Sequence, residues 1–132
     1  MESAFQELIN EAVCARKQAY APYSHFAVGA ALLTTCGEII RGCNVENASY
    51  GLTICAERSA VFNAIGKGHT TFQALAVSLK GSGSPCGACR QVLNEFAPDL
   101  IILLADPEGL NLRETTLSEL LPDAFGPSNL EG

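Results

Sequence analysis

Cys86-Gly87-Ala88-Cys89 sets two thiols at a spacing that suits either a redox pair or a metal ion. Upstream, Cys55-Ala56-Glu57 adds a third thiol and, two residues beyond it, a carboxylate. Both clusters stand where a strand is expected to hand over to a helix, so two helix N-termini can face each other and bring three thiolates to one point. Three sulfurs leave the fourth position of a tetrahedral zinc ion open, which separates catalytic from closed structural zinc. One zinc ion per chain would lower the pKa of its water and supply a nucleophile at neutral pH, with Glu57 beside the open position to move protons. Three thiolates overcompensate the metal charge and weaken its pull on water. The positive ends of the two helices offset that excess, as does Arg58, which can give charge-assisted hydrogen bonds to a thiolate. Gln91, two residues after Cys89, is a second donor of this kind. A redox or zinc-storage role for Cys86 and Cys89 is the rival reading, and it leaves Glu57 without a task. The remaining thiols lack ligand spacing: Cys14, Cys36 and Cys43 read as small apolar filler on a helix, in a turn and in a strand. His25 and His69 have no partner at metal-ligand spacing and read as ordinary surface or loop histidines.

The elements that must position these residues follow from apolar periodicity. Phe5, Leu8, Ile9, Ala12, Val13 and Arg16 trace a helical stripe that predicts a helix from about Ser3 to Ala19. Phe26 to Thr34 and Glu38 to Val45 form a hairpin about Cys36-Gly37. The pattern from Cys55 to Ile65 is helical and is closed by Gly66 and Gly68. Phe72 to Leu79 is the third strand. Ser84-Pro85 supplies an N-cap and first-turn proline for a helix from near Cys86 to Phe96. Leu100 to Ala105 is a strand covered on both faces, a short last strand begins near Leu112, and Leu117 to Leu121 is a helical turn. The order predicts an α/β fold, a three-layer α/β/α sandwich with a mixed sheet of about five strands.

With 132 residues, the chain is expected to be a single catalytic domain over 1–132, irregular from about 126 to 132. Eight Lys and Arg stand against 14 Asp and Glu, a formal charge of −6, which argues against a nucleic-acid partner. Charged residues make up 17%, below the usual share of about 25%, and hint at surface covered by partner subunits. No cationic start leads into an apolar core, and the densest apolar run, Leu100 to Ala105, is far short of the roughly 20 residues that cross a bilayer. The expectation is a cytoplasmic protein with reduced thiols and no membrane partner.

The pattern Cys55-x-Glu57 followed by Pro85-Cys86-x-x-Cys89 matches the layout of zinc deaminases, in which the Glu is a proton shuttle and no ligand. Further blocks are Ala21-Pro22-Tyr23-Ser24-His25-Phe26, Val28-Gly29-Ala30-Ala31-Leu32-Leu33, Gly42-Cys43-Asn44-Val45-Glu46-Asn47 and Glu119-Leu120-Leu121-Pro122 with Phe125. Through these the sequence resembles the small, three-cysteine cytidine deaminases along nearly its whole length. The resemblance implies hydrolytic deamination of cytidine and 2′-deoxycytidine with release of ammonia, as in pyrimidine salvage. It also implies that Asn44 and Glu46 bind the ribose hydroxyl, Phe26 lines the base pocket and the backbone of Ala56 meets the pyrimidine edge. Phe125 would reach a neighbouring subunit's site in a homotetramer whose active sites are completed across subunits. A site built to bond a hydroxyl rejects analogues lacking it, so free cytosine is expected to be a poor substrate. The nearest rival substrate is another small molecule containing cytosine, such as blasticidin S.

Overall fold

The structure, a computed structural model, describes residues 3–130. Helix α1 spans Ser3–Arg16, strands β1 and β2 Gly29–Thr34 and Ile39–Cys43, and helix α2 Ala56–Gly66. Strand β3 spans Phe72–Ser78, helix α3 Gly87–Phe96, strands β4 and β5 Ile101–Ala105 and Arg113–Thr116, and a last short helix, α4, Leu117–Leu120. The five strands form one mixed sheet in the order β2-β1-β3-β4-β5, parallel between β3 and β4 and antiparallel elsewhere. The parallel pair needs a crossover, and α3 makes it.

Strand alternation sorts the core into two layers. Ala31 and Leu33 of β1, Ala74 and Ala76 of β3, and Leu103 and Ala105 of β4 pack with Phe5, Leu8, Ile9 and Ala12 of α1. Their neighbours Ala30, Leu32, Leu75, Val77, Ile102 and Leu104 point the other way, onto Ala56, Ala60 and Val61 of α2 and Leu93 of α3. All six residues of β1 are buried, as befits a central strand covered on both faces. The three-layer α/β/α arrangement expected from the element order is the one observed.

Three local expectations are corrected. Helix α1 stops at Arg16, because Lys17, Gln18 and Ala19 turn back with i→i−3 bonds to Cys14, Ala15 and Arg16. Ala15, and not Val13, completes its buried stripe. The N-cap of α3 is Cys86, with Pro85 outside the helix, since the Ser84 hydroxyl accepts from Arg90 Nη2 at 2.8 Å instead of capping. The segment after Gly126 contains one 3₁₀ turn, at Pro127–Asn129. Residues 131–132 lie outside the described range. No helix is long and apolar enough to cross a membrane among the described residues.

Candidate functional site

The two helices on one face of the sheet begin with the cysteines. Cys55 is the N-cap of α2 and Cys86 the N-cap of α3, both with extended backbone and neither side chain accepting a capping hydrogen bond. A thiol is a poor cap, so the sulfurs stay available while the helix starts hold partial positive charge beside them. Helix α2 lies tight against β2 because Gly42 has no side chain: a Cβ there would come within 2.3 Å of Ala60 N and 2.5 Å of Ala56 O. That contact sets the depth at which Ala56 and Glu57 begin the helix.

The sulfurs of Cys55, Cys86 and Cys89 all lie within 4.8 Å of one another. Cys55 Sγ to Cys86 Sγ is 3.9 Å and Cys86 Sγ to Cys89 Sγ is 3.5 Å. Zinc–sulfur bonds of about 2.3 Å in a tetrahedron put neighbouring sulfurs about 3.8 Å apart, so this donor set fits zinc in both softness and spacing. Arg58 Nη2 donates to Cys55 Sγ at 3.3 Å, the contact expected of it. Its Nε is buried without a hydrogen-bond partner among the described residues, so the bond to Cys55 Sγ is the one that holds this guanidinium. The hydrogen bond from Cys89 and that from Arg58 hold the Cys55 thiol well below its usual range, against desolvation. Cys89 shifts the opposite way, because it gives its proton to Cys55 and is itself buried. The bond to Cys55 strengthens the hold of Arg58 on its own proton. Glu57 is 6% exposed, and burial pushes its carboxyl up to about 7, helped by the negative charge at Cys55 and opposed by a backbone hydrogen bond and by Arg58.

Asn44 and Glu46 are tied to this centre through Val45, which exchanges backbone hydrogen bonds of 3.0 Å each way with Ile54, the residue before Cys55. The Asn44 amide is engaged at both ends: Nδ2 donates to Phe26 O at 2.8 Å and Oδ1 accepts from Val28 N at 2.9 Å. Glu46 accepts from Tyr23 N, Ser24 N and Ser24 Oγ, and these bonds hold its carboxyl below the usual range. It faces an open cavity of about 380 Å³ shared with Tyr23, Ser24, Asn47, Tyr50 and Thr53. Phe26 is exposed beside this loop, its N–H donating to Ser24 Oγ. Ala56 is fully buried as the first residue of α2, a position whose N–H has no acceptor within the helix.

Gln91 departs from expectation: its amide donates to Phe125 O at 2.8 Å and not to a sulfur. Asn94 Nδ2 reaches the same carbonyl at 3.2 Å, so α3 holds the Phe125 backbone while its ring is 59% exposed. Arg90 is a residue that sequence reasoning missed. Its guanidinium donates to Pro85 O, Leu120 O and Ser84 Oγ at 2.7, 2.7 and 2.8 Å, and so clamps the loop carrying Cys86 to the C-terminal segment. Ser24 is another, and only its place two residues before Phe26 in the matching block hinted at it. His69 lies just beyond the end of α2, and its Nε2 is 2.7 Å from Glu38 Oε2. Cys36 is exposed and so is not core filler.

A family profile, the cytidine and deoxycytidylate deaminase zinc-binding region, matches residues 2–105. A cytidine deaminase of Halalkalibacterium halodurans is 54% identical over 123 residues, 91% of this chain and 92% of that protein. One from Sporosarcina psychrophila is 49% identical over 128 residues, 95% and 93% of the two chains. The crystal structure of cytidine deaminase from Burkholderia pseudomallei superposes with a TM-score of 0.87 at 50% identity, over 95% of this chain and 100% of that one.

Proposed function

Because the chain belongs to the cytidine deaminase family and is a cytidine deaminase with zinc at Cys55, Cys86 and Cys89, we propose that Glu57 is its proton carrier and that the loop from Asn44 to Glu46 holds the sugar. The observation that carries this reading is a buried carboxylate two residues from one of three sulfurs at tetrahedral spacing. Zinc held there supplies water acidified enough to attack at neutral pH. Glu57 takes a proton on its carboxylate, passes it to the pyrimidine ring nitrogen and assists departure of ammonia. Burial, which raises the affinity of the Glu57 carboxyl for a proton, favours that role. Arg58 keeps Cys55 ionised as a ligand, and the two helix starts spread the sulfur charge.

Each end of the Asn44 amide and the Glu46 carboxylate retains hydrogen-bonding capacity beyond its present partners, so together they can donate to and accept from a ribose hydroxyl. That set admits 2′-deoxycytidine as well as cytidine. It disfavours nucleotides, whose phosphate would meet Glu46, and cytosine antibiotics without that hydroxyl. Phe26 lines the base side, and the free N–H of Ala56 meets the pyrimidine edge. Tyr23 and Tyr50 line the cavity and are exposed, as are Tyr20, Phe26 and Leu52, and Phe125, far along the chain from these, is exposed as well. This favours a homotetramer in which that surface is covered and Phe125 completes a neighbouring site. Six free cysteines suit the reducing cytoplasm.

The test is a cytidine assay with zinc quantified in the same sample. Wild type is expected to turn over cytidine with one zinc per chain, and Glu57→Gln to keep the zinc while losing about 10³-fold or more in kcat. Retained activity in that variant would remove Glu57 from the mechanism.

A further inference from the structure

Helix α2 has a second cluster at its other end. The helix closes on Gly68, at φ +89°, with His69 N bonded to Ala64 O and Gly68 N to Ile65 O, a double bond pattern that fixes His69 in place just beyond the last turn. There its ring meets the β1–β2 turn. His69 Nε2 lies 2.7 Å from Glu38 Oε2, and His69 Nδ1 lies 3.8 Å from Cys36 Sγ. With Nε2–H given to the carboxylate, Nδ1 is left as the acceptor that faces the thiol. The Thr34 hydroxyl accepts from Glu38 N at 3.0 Å and lies 3.2 Å from Cys36 Sγ, free to donate its own hydrogen to the sulfur. Cys36 is exposed and opens onto a shallow cavity of about 350 Å³ whose walls include Leu33, Ile39, Gln73 and Glu7.

A nucleophile, a base and a carboxylate that orients the base stand in line here, and none belongs to the zinc centre. We propose that Cys36 is a site of thiol–disulfide exchange with small disulfides, with His69 as its base and Glu38 holding that imidazole. Cys36 gives its proton to His69 Nδ1 as Sγ attacks one sulfur of the disulfide. The S–S bond of the reagent breaks as the mixed disulfide forms, and the departing thiolate recovers a proton from the imidazolium. The carboxylates of Glu7 and Glu38 favour a cationic disulfide over an anionic one.

The test treats the zinc-loaded full chain with cystamine and follows each cysteine by peptide mass spectrometry. Cys36 is expected to carry the adduct at least about 10-fold faster than Cys14 or Cys43, with deamination and zinc content unchanged. An ordinary thiol is already a few per cent ionised at neutral pH, which caps the help a base can give at some tens of fold. His69→Asn is therefore expected to slow the reaction at Cys36 about 10-fold. Glu38→Gln, at an exposed position that leaves the helix end intact, is expected to slow it about 3-fold. Equal labelling of Cys14, Cys36 and Cys43, or an unchanged rate at Cys36 in both variants, would overturn the proposal.

Discussion

The two ends of helix α2 use similar residues for different ends. At its start, three sulfurs converge, a carboxylate is buried and the Arg58 Nε has no hydrogen-bond partner among the described residues. At its close, a single sulfur meets an imidazole and a carboxylate that are both partly open to water. Cysteine next to charge does not by itself say metal or nucleophile. The number of soft donors that can reach one point decides it, since one sulfur and one ring nitrogen cannot fill a zinc shell whereas three sulfurs nearly do. Burial adds to the difference. At the start of the helix it pushes the Glu57 carboxyl up to about 7, in the direction that suits the proton-carrying role proposed for it.

The largest effect expected from breaking this contrast comes from removing zinc. Chelation should abolish cytidine turnover and expose Cys55, Cys86 and Cys89 to alkylation, while the rate at Cys36 stays as it was; atomic absorption and peptide mapping on one sample read both ends of the helix. A smaller effect is expected of Arg58→Ala. Loss of its bond to Cys55 Sγ should weaken zinc retention about 10–100-fold, and competition with a chromogenic chelator measures it, with His69→Asn as the control that leaves zinc untouched. Normal retention in Arg58→Ala would mean that the helix ends alone offset the thiolate charge.

The smallest effect concerns pH and lies beside the zinc centre. Hydrogen bonds from Ser24 hold Glu46 below its ordinary value of 4.5, so Glu46 stays ionised as the medium is acidified. A carboxylate depressed in the folded state contributes stability and binding above that ordinary value and loses them as pH falls through the depressed one. Ser24→Ala removes the hydroxyl bond, and the acid limb of kcat/KM for cytidine should move upward by less than about one pH unit. An unmoved limb would mean that Glu46 does not meet the substrate, or that the Tyr23 and Ser24 amides suffice to hold it.

Much of this site is legible in one sequence because its signals are short-range. Cys55 and Glu57 are two residues apart, Cys86 and Cys89 three, and each pair opens a helix whose apolar period is clear. The parts that were not legible depend on carbonyls and turns distant along the chain. Arg90 bonds to Leu120 O and Gln91 to Phe125 O, across 30 and 34 residues, and a backbone carbonyl has no residue type to announce it. The same holds for Asn44, whose amide spans Phe26 O and Val28 N. Cys36 and His69 are 33 residues apart and share no spacing rule, so neither pointed to the other. The end of α1 at Arg16 was equally hidden, because Pro22 marks where a helix cannot continue and not where i→i−3 bonds let it stop.

Residue order alone determined the layering of the sheet and helices, the three zinc ligands with Glu57 beside them, and the acidic character that suits an uncharged nucleoside. These follow from periodicity, local spacing and charge, which are properties of neighbours in the chain. Tertiary structure alone decided the depth of α2 against Gly42, the grip of Ser24 on Glu46 and of Arg90 on the Cys86 loop, and the meeting of Cys36 with His69. Those depend on which distant surfaces pack together, and close packing of both faces of one sheet is what brought them within hydrogen-bond reach.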